Sequence, residues 1–150
     1  MRRIDVADGL ESTLVMLGHM LGDGITVERD YGAGVPPVEA HAGELNLVWT
    51  NLISNAVEAM NGTGTLRLST HASEENVVID VADTGCGLPP AVAARAFEPF
   101  FTTKNPAENT GLGLDIAHRI ITERHGGTID IDSRPGRTVF RVQLPVRARA

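Results

Sequence analysis

The sequence has 150 residues, 42% of them hydrophobic, so it is long enough to bury one core and too short to promise two domains. A formal net charge of -6, with 13 scattered basic residues, argues against nucleic acid or an anionic membrane as a partner. Cys86 is the only cysteine, which excludes an intramolecular disulfide and a thiolate zinc cluster, and no long apolar segment is present. We therefore expect a single cytoplasmic domain over 1–150.

The first part of the chain predicts a helix, a strand, a loop and a long helix, in that order. Asp8 is a candidate N-cap, and leucines recur after it at helical spacing as far as Gly22. "GITVERDY" predicts a strand, and "GAGVPPVEA" predicts a loop with a short extended exit. The longest helical pattern is "GELNLVWTNLISNAVEAM", which ends before Asn61 and Gly62.

The second part of the chain predicts more strands and one more helix. "GTLRLSTHA" and "NVVIDVAD" alternate as strands do, and a polar turn joins them. "NPAENTGLG" has no periodicity and predicts a mobile loop, which leads into the helix "LDIAHRIITERH". "GGTIDIDS" and "TVFRVQLP" predict two closing strands joined by "RPGR". Together these elements predict an α/β fold, a two-layer α/β sandwich with helices on one face of a sheet.

A narrow polar stripe runs along the long predicted helix. Glu44, Asn51, Asn55 and Glu58 fall within an arc of about 60° beside the apolar side. Such a stripe is often only the solvated face of a helix. Asparagines are poor helix formers, however, and two of them one turn apart offer amide oxygens to a hard cation and its phosphate ligands.

The segment "TGLGLDI" places glycines at the start of a helix. Glycine lets the backbone come close to a ligand, and the first-turn amides then point at an anion. The segment is neither a P-loop, since no Gly-Lys-Ser/Thr follows, nor a Rossmann fingerprint. It predicts a phosphate cradle, although a glycine-rich helix start without a ligand is about as common.

The stretch "DVADTGCGLP" ends a predicted strand in an acid, Asp83. If phosphates lie at Gly111–Leu114 and a metal at Asn55, Asp83 can accept a hydrogen bond from the exocyclic amine of adenine. Guanine has a carbonyl there, so discrimination of at least about 1.5–3 kcal/mol is expected. Gly85 and Gly87 are expected to leave room for a flat ring. Alone, the stretch would be an ordinary strand-to-helix turn. The asparagines of the long helix, the acid Asp83 and the glycine-rich helix start each suit a different part of one nucleotide. Together they favour a nucleotide site.

Four ordered motifs carry a family resemblance. "NLISNAVEAM", "DTGCGLP", "FEPFFTTK" and "TGLGLDIAHRI" resemble the N, G1, F and G2 boxes of the ATP-binding catalytic domain of sensor histidine kinases. The match spans about Glu44 to Pro145. The resemblance implies the Bergerat fold, in which a mixed sheet is covered by helices and ATP is bound under a flexible lid, here at about 102–112.

The resemblance also implies roles for individual residues. Asn55 matches the magnesium ligand, Asn51 its partner in catalysis, and Asp83 the adenine-binding aspartate, which Thr138 joins through water. Many members carry a basic residue where this chain has Glu58, so that cation is either missing or replaced by Lys104; alternatively, Lys104 is an exposed lid residue. The remaining nucleotide-binding positions are the glycines of the G1 box and the cradle that borders the lid: Gly85, Gly87, Thr110, Gly111, Leu112, Gly113 and Leu114.

The type of chemistry follows from Asn51 and from the histidines. Related hydrolysing ATPases resemble this chain but carry a glutamate at the matching position, whereas an amide cannot act as a general base. None of the five histidines resembles a phosphoacceptor. The expected partners are therefore a dimerisation and phosphoacceptor domain, absent from this chain, and a response regulator downstream. The chain is expected to be part of a larger kinase, whose parent protein can be membrane-anchored, or a stand-alone module acting in trans.

Two other functions stay open at this point. A nucleotide-binding regulatory module without phosphotransfer would use ATP only to order the lid and change the affinity for a partner. Glu58 and the missing acceptor motif are compatible with such a module. A hydrolytic ATPase is the weaker alternative, because Asn51 opposes it.

Overall fold

The computed structural model describes residues 2–22, 24–60, 62–85, 113–134 and 136–146. The predicted lid at about 102–112 and the F-box segment lie outside these ranges. In the described part, no helix has both the length and the apolar character that a membrane crossing needs.

Helices and strands alternate along the described chain much as the sequence predicts. The strands are β1 Arg2–Ile4, β2 Ile25–Tyr31, β3 Val38–Ala40, β4 Gly64–Ser73, β5 Asn76–Asp83, β6 Thr128–Arg134 and β7 Arg137–Pro145. The helices are α1 Val6–Met16, α2 Gly18–Leu21, α3 Ala42–Met60 and α4 Gly113–Arg119, which continues as a π-helical turn over Ile120–Arg124.

Five of these strands form one mixed sheet in the order β2-β4-β5-β7-β6. β2 runs parallel to β4, and the other neighbouring strands run antiparallel. β1 and β3 form a separate two-stranded sheet. The helix α3 packs over β4 and β5 and also contacts α1 and α4. This architecture confirms the predicted two-layer α/β sandwich with a mixed sheet.

Alternation along the strands separates a covered face of the sheet from an open one. On β5, Val77, Ile79 and Val81 are fully buried and belong to the core, as their period of two predicts. Asp80 points to the other face, where its carboxylate binds the Arg141 guanidinium across the strand pair at 2.8 Å. The covered face of the sheet therefore ends, at the last residue of β5, with Asp83.

The helix α3 supplies much of the core because its apolar residues share one side. Trp49, Leu52 and Ile53 are essentially inaccessible to solvent. α1 can approach this side closely at Gly9, where an added Cβ would lie 3.2 Å from Nε1 of Trp49. The packing fixes the rotation of α3 and so decides which residues lie on its other flanks.

The N-terminal region differs from the prediction in three respects. Asp5, rather than Asp8, caps α1, because its extended backbone lets Oδ1 accept the N–H of Ala7 at 2.9 Å. The helix also ends at Leu17, so that α2 is a separate short turn. β1 was not predicted, since three residues are too few to show alternation, and only its pairing with β3 defines it.

A buried histidine joins the N-terminus of α3 to the π-helical turn. His125 is 4% exposed. Its Nε2 accepts the backbone N–H of His41 at 3.1 Å, and its Nδ1 lies 2.8 Å from the carbonyl oxygen of Ile120. Nε2 is therefore the acceptor in this junction, and Nδ1 is the nitrogen that donates to the Ile120 carbonyl. Beside it, the Arg124 guanidinium makes a bidentate ion pair with the Glu44 carboxylate, and the shortest distance, from Nη2 to Oε2, is 2.8 Å.

Replacing His125 with Ala is expected to lower the free energy of unfolding by about 1–3 kcal/mol, because the His41 N–H loses its buried partner. Equilibrium urea unfolding measures this change. His41→Ala is the matched control, since the backbone rather than the side chain of that residue makes the bond. An equally large loss in His41→Ala would show that the junction is stabilised by the edge-to-face contact of the His41 and His125 rings, whose centroids lie 5.6 Å apart, and not by the hydrogen bond.

Candidate nucleotide-binding site

Asp83 is the last residue of β5, its carboxylate lies on the covered face of the sheet, and it is only 2% exposed. Its Oδ1 accepts the backbone N–H of Gly85 at 2.8 Å, which holds the side chain in a tight turn at the strand end. The Gly85 N–H binds Oδ1 and leaves the other carboxylate oxygen, Oδ2, out of this hydrogen bond. Oδ2 is therefore the oxygen that can accept a hydrogen bond from a ligand.

Burial raises the pKa of Asp83 above the usual aspartate range, and the hydrogen bond from Gly85 offsets part of this rise. The cause is the loss of water around the charged form. A folded-state pKa above the unfolded one means that the ionised carboxylate costs stability at neutral pH. A ligand that donates a hydrogen bond to the carboxylate would reduce that cost.

Gly85 packs directly against the last turn of α3. A Cβ on Gly85 would lie 2.6 Å from the carbonyl oxygen of Ala59 and 2.8 Å from its carbonyl carbon. Thr84 Oγ1 accepts the N–H of Thr65 at 3.0 Å, which ties the same turn to β4. The space that a side chain at Gly85 would need is occupied by the helix. Room for a flat ring beside Gly85 stays a prediction. Helix packing is the reason that this structure gives for a glycine here.

The two asparagines of the N box precede Ala59 on the same helix. Asn55 lies four residues before it, a rise of about 6 Å, and Asn51 lies one turn further away. Nδ2 of Asn55 donates to the backbone carbonyl of Asn51 at 2.6 Å, so the amide group faces the helix through nitrogen and presents Oδ1 to other groups. Both side chains are half-buried, and both take part in further interactions. Glu44, on the same predicted stripe, is instead bound to Arg124 and has a structural role.

Thr138 lies opposite Asp83 in the antiparallel pairing of β5 with β7. Its side chain faces the covered side of the sheet and is 4% exposed. The structure thus brings together two of the predicted base-binding residues, which are 55 positions apart in the chain. Their side chains are cross-strand neighbours, with Cβ atoms about 4.5–5.5 Å apart in such a pair.

Ser133 is a residue that the sequence analysis missed. It is paired with Thr138 across the β6–β7 hairpin, and its Oγ lies 3.1 Å from Oγ1 of Thr138. Counting outward from the turn "RPGR" would have placed these two residues opposite each other. Asp83, Thr138 and Ser133 therefore form one row across three strands.

The G2 segment enters the site at the start of α4. Gly113 is the first residue of this helix, and Leu114 is half-buried beside the core. The next residue, Asp115, is buried and pairs with Arg119 at 3.6 Å, which partly balances its charge. Because α3 contacts both α4 and β5, the three predicted segments converge on one helix. Five predicted site residues lie outside the described ranges, namely Gly87, Lys104, Thr110, Gly111 and Leu112.

The described residues include no group of three or more His, Cys, Asp or Glu side chains suited to hold a metal ion. The two predicted oxygen donors on α3, Asn51 and Asn55, are amides. Amide oxygens are ligands that Mg²⁺ accepts, but so few of them leave most coordination positions to water or to ligand phosphates. These amide oxygens therefore suit a cation that binds together with a phosphorylated ligand.

Known proteins share the sequence pattern and the fold of this chain. The family model described as histidine kinase-, DNA gyrase B-, and HSP90-like ATPase matches residues 40–148. The sensory histidine kinase/phosphatase NtrB of Rhodobacter capsulatus is 35% identical over 159 residues, which cover 97% of this chain and 44% of NtrB. The chain thus spans less than half of this curated relative.

Two solved histidine kinases have the same fold. The catalytic domain of ThkA superimposes with a TM-score of 0.86 at 26% identity and covers 98% of this chain and 97% of that domain. Full-length ShkA in complex with AMPPNP gives a TM-score of 0.84 at 26% identity, covering 99% of this chain and 31% of ShkA. ThkA has also been solved in complex with the response regulator TrrA, with a TM-score of 0.82 at 26% identity over 96% of this chain and 41% of ThkA. The chain therefore belongs to the histidine kinase-, DNA gyrase B- and HSP90-like ATPase family, in which it is an ATP-binding catalytic domain of the sensor histidine kinase type.

Proposed function

We propose that this domain binds Mg-ATP and positions the γ-phosphate for transfer to a histidine on a separate dimerisation and phosphoacceptor domain, in two-component signal transduction. The observation that carries the proposal is the buried Asp83 carboxylate, whose turn packs through Gly85 against Ala59 of α3, the helix that also carries Asn51 and Asn55. Base selection and phosphate placement are thereby linked by one helix.

Asp83 would select the base. Its buried carboxylate accepts hydrogen bonds and, when ionised, cannot donate them. The exocyclic amine of adenine satisfies this acceptor, whereas the carbonyl of guanine at the same place would face it with a second acceptor. Thr138, directly opposite, would add a contact to the same edge of the base through water.

Asn55 would hold Mg²⁺ through its amide oxygen, with Asn51 beside it. When bound, the ion neutralises phosphate charge and helps to orient the terminal phosphoryl group. The free amides at the start of α4 would face the phosphates, with Thr110, Gly111, Leu112, Gly113 and Leu114 as the cradle. We assign Lys104 as a further cation for these phosphates and Gly87 to the turn around the base.

The chemistry would need little from this chain beyond positioning. A nitrogen of the acceptor histidine attacks the γ-phosphorus, the bond from that phosphorus to the bridging oxygen breaks, and ADP leaves. The Asn51 amide does not remove a proton, so the base for the nucleophile belongs to the acceptor domain. Residues of this chain align the phosphoryl group and balance its charge.

The proposed partners follow because this chain positions the phosphate while another domain supplies the nucleophile and its base. We propose that 1–150 acts as one catalytic domain, with a lid at about 102–112, and that the acceptor histidine lies in the same parent protein or in a partner acting in trans. A response regulator would receive the phosphoryl group afterwards. A cytoplasmic location, without membrane or nucleic acid contact by this domain, accords with the net charge of -6.

The proposal is tested first by calorimetric titration with ATP in the presence and absence of Mg²⁺, and then by incubating the chain with γ-labelled ATP and a histidine-bearing acceptor domain. We expect binding that Mg²⁺ strengthens, and label on the acceptor only when both proteins are present. A folded chain that bound no ATP would refute the nucleotide site. Binding without any transfer to acceptors of this class would refute the kinase assignment.

Asn55→Ala tests the metal site. It is expected to weaken binding in Mg²⁺ by about 10-fold or more, and to have little effect in its absence, because it removes the proposed protein ligand of the ion. Asn46→Ala is the control, since Asn46 is an exposed asparagine of α3 on the flank that meets α1. Calorimetry at several Mg²⁺ concentrations measures the difference. A variant that retained the full response to Mg²⁺ would show that Asn55 is not the ligand.

A further inference from the structure

The row formed by Asp83, Thr138 and Ser133 carries one more inference, which rests on the proposed function. We infer that Ser133 is a positioning residue, whose hydroxyl donates a hydrogen bond to Thr138 and so directs the Thr138 hydroxyl, as a donor, toward the adenine ring nitrogen N1 next to the exocyclic amine.

The contact on which the inference depends is short and local. Ser133 Oγ and Thr138 Oγ1 lie 3.1 Å apart and either oxygen can supply the proton. Ser133 is half-buried on β6, whereas Thr138 is almost fully buried on β7. A threonine hydroxyl that must pair inside the protein is held in one orientation by such a neighbour.

The direction of the hydrogen bond follows from charge. On its other side, Thr138 faces the buried carboxylate of Asp83, the residue opposite it on β5. In that negative field the Thr138 O–H bond points toward the Asp83 side, where the base and its ordered water would lie. Its oxygen then accepts, so Ser133 must be the donor.

This arrangement gives two adjacent groups of opposite character. Asp83 is an acceptor, and Thr138, oriented by Ser133, is a donor, either directly or through a water molecule. The edge of adenine presents an amine donor beside the ring acceptor N1, which matches both. Guanine presents a carbonyl and an N–H at the same atoms and mismatches both. Ser133 would thus contribute to base selection without touching the base.

The test compares ATP with 1-deaza-ATP, which has a C–H group in place of N1 and therefore lacks this acceptor. Ser133→Ala is expected to weaken ATP binding by about 2- to 10-fold, the effect of one neutral hydrogen bond, and to leave 1-deaza-ATP binding unchanged. Ser133→Thr keeps the hydroxyl and should retain wild-type ATP affinity. Ser69→Ala, on the open face of β4, is the matched control. Thermal unfolding of each variant without ligand establishes that it is folded.

A double-mutant cycle with Thr138→Val tests whether Ser133 acts through its neighbour. In that background Ser133→Ala should change ATP affinity no further. An equal loss for ATP and 1-deaza-ATP, or a loss that persists in the Thr138→Val background, would overturn the inference and leave Ser133 as a packing residue. Failure of the proposed function would appear differently, because the wild-type chain would then bind neither nucleotide.

Discussion

Asp83→Asn is expected to weaken ATP binding by about 10- to 150-fold, corresponding to the loss of about 1.5–3 kcal/mol from one hydrogen bond to a charged group. Asparagine keeps an oxygen that can accept the Gly85 N–H, so the turn can persist. The second position then carries an NH₂ donor, which would face the amine donor of adenine. Calorimetric titration with ATP and GTP measures both the lost affinity and the expected narrowing of the preference for ATP.

The same substitution should stabilise the chain in the absence of ligand. Because burial raises the pKa of Asp83, the protonated carboxyl is favoured in the folded state, and the stability that it contributes is lost as pH rises through the folded-state pKa. An amide has no charge to desolvate. The melting temperature of the variant should therefore exceed that of the wild type at neutral pH, and the difference should shrink toward acid pH.

Asp80→Asn is the matched control for both measurements. Asp80 lies on the same strand but on the open face, where it pairs with Arg141 at 2.8 Å. Its substitution should leave nucleotide affinity unchanged. If Asp83→Asn bound ATP as well as the wild type, the base would lie elsewhere. If it lost affinity only because it unfolded, melting curves without ligand would show the loss of stability directly.

Gly85→Ala is expected to destabilise the fold by about 1–3 kcal/mol or more, because overpacking displaces atoms that cannot move cheaply. The added Cβ would lie 2.6 Å from the backbone oxygen of Ala59, so either the turn or the last turn of α3 must shift. ATP affinity should fall as well, since the shift moves Asp83 relative to Asn55. Urea unfolding and calorimetry measure the two effects.

A glycine at the opposite end of α3 shows what an unhindered substitution does. Gly43, in the first turn of α3, has no atom within 4 Å of an added Cβ. Gly43→Ala should therefore be neutral or stabilising by up to about 1 kcal/mol, as helix propensity predicts. Comparable stability losses at Gly43 and Gly85 would mean that the contact with Ala59 is not what requires the glycine.

Much of the sheet could be predicted because its signals are local. The alternation in β4, β5 and β7 sorts residues onto two faces, and the turn "RPGR" sets the pairing of the last hairpin. The approach of Asp83 to Thr138 also follows once β5 and β7 are known to be neighbours. Local patterns predicted these strands but not their adjacency, for which only the family resemblance offered a guide.

Other features depend on contacts between distant segments and leave no periodic signal. The tether from His125 to His41 spans 84 residues and uses a backbone N–H, which every residue except proline has. The contact of Gly85 with Ala59 likewise involves a main-chain oxygen, so no side-chain pattern announces it. β1 is too short to alternate. Such features are determined by tertiary packing rather than by local preference.

The helix α3 is anchored at both ends, and this has a mechanical consequence. Its 19 residues span about 28 Å, from the end held by His125 and Arg124 to the end where Ala59 meets Gly85. Because the N-terminal end is held, a displacement of the Asp83 turn would tilt the helix about that end. The proposed base-binding residue Asp83 and the proposed metal ligand Asn55 would then move together.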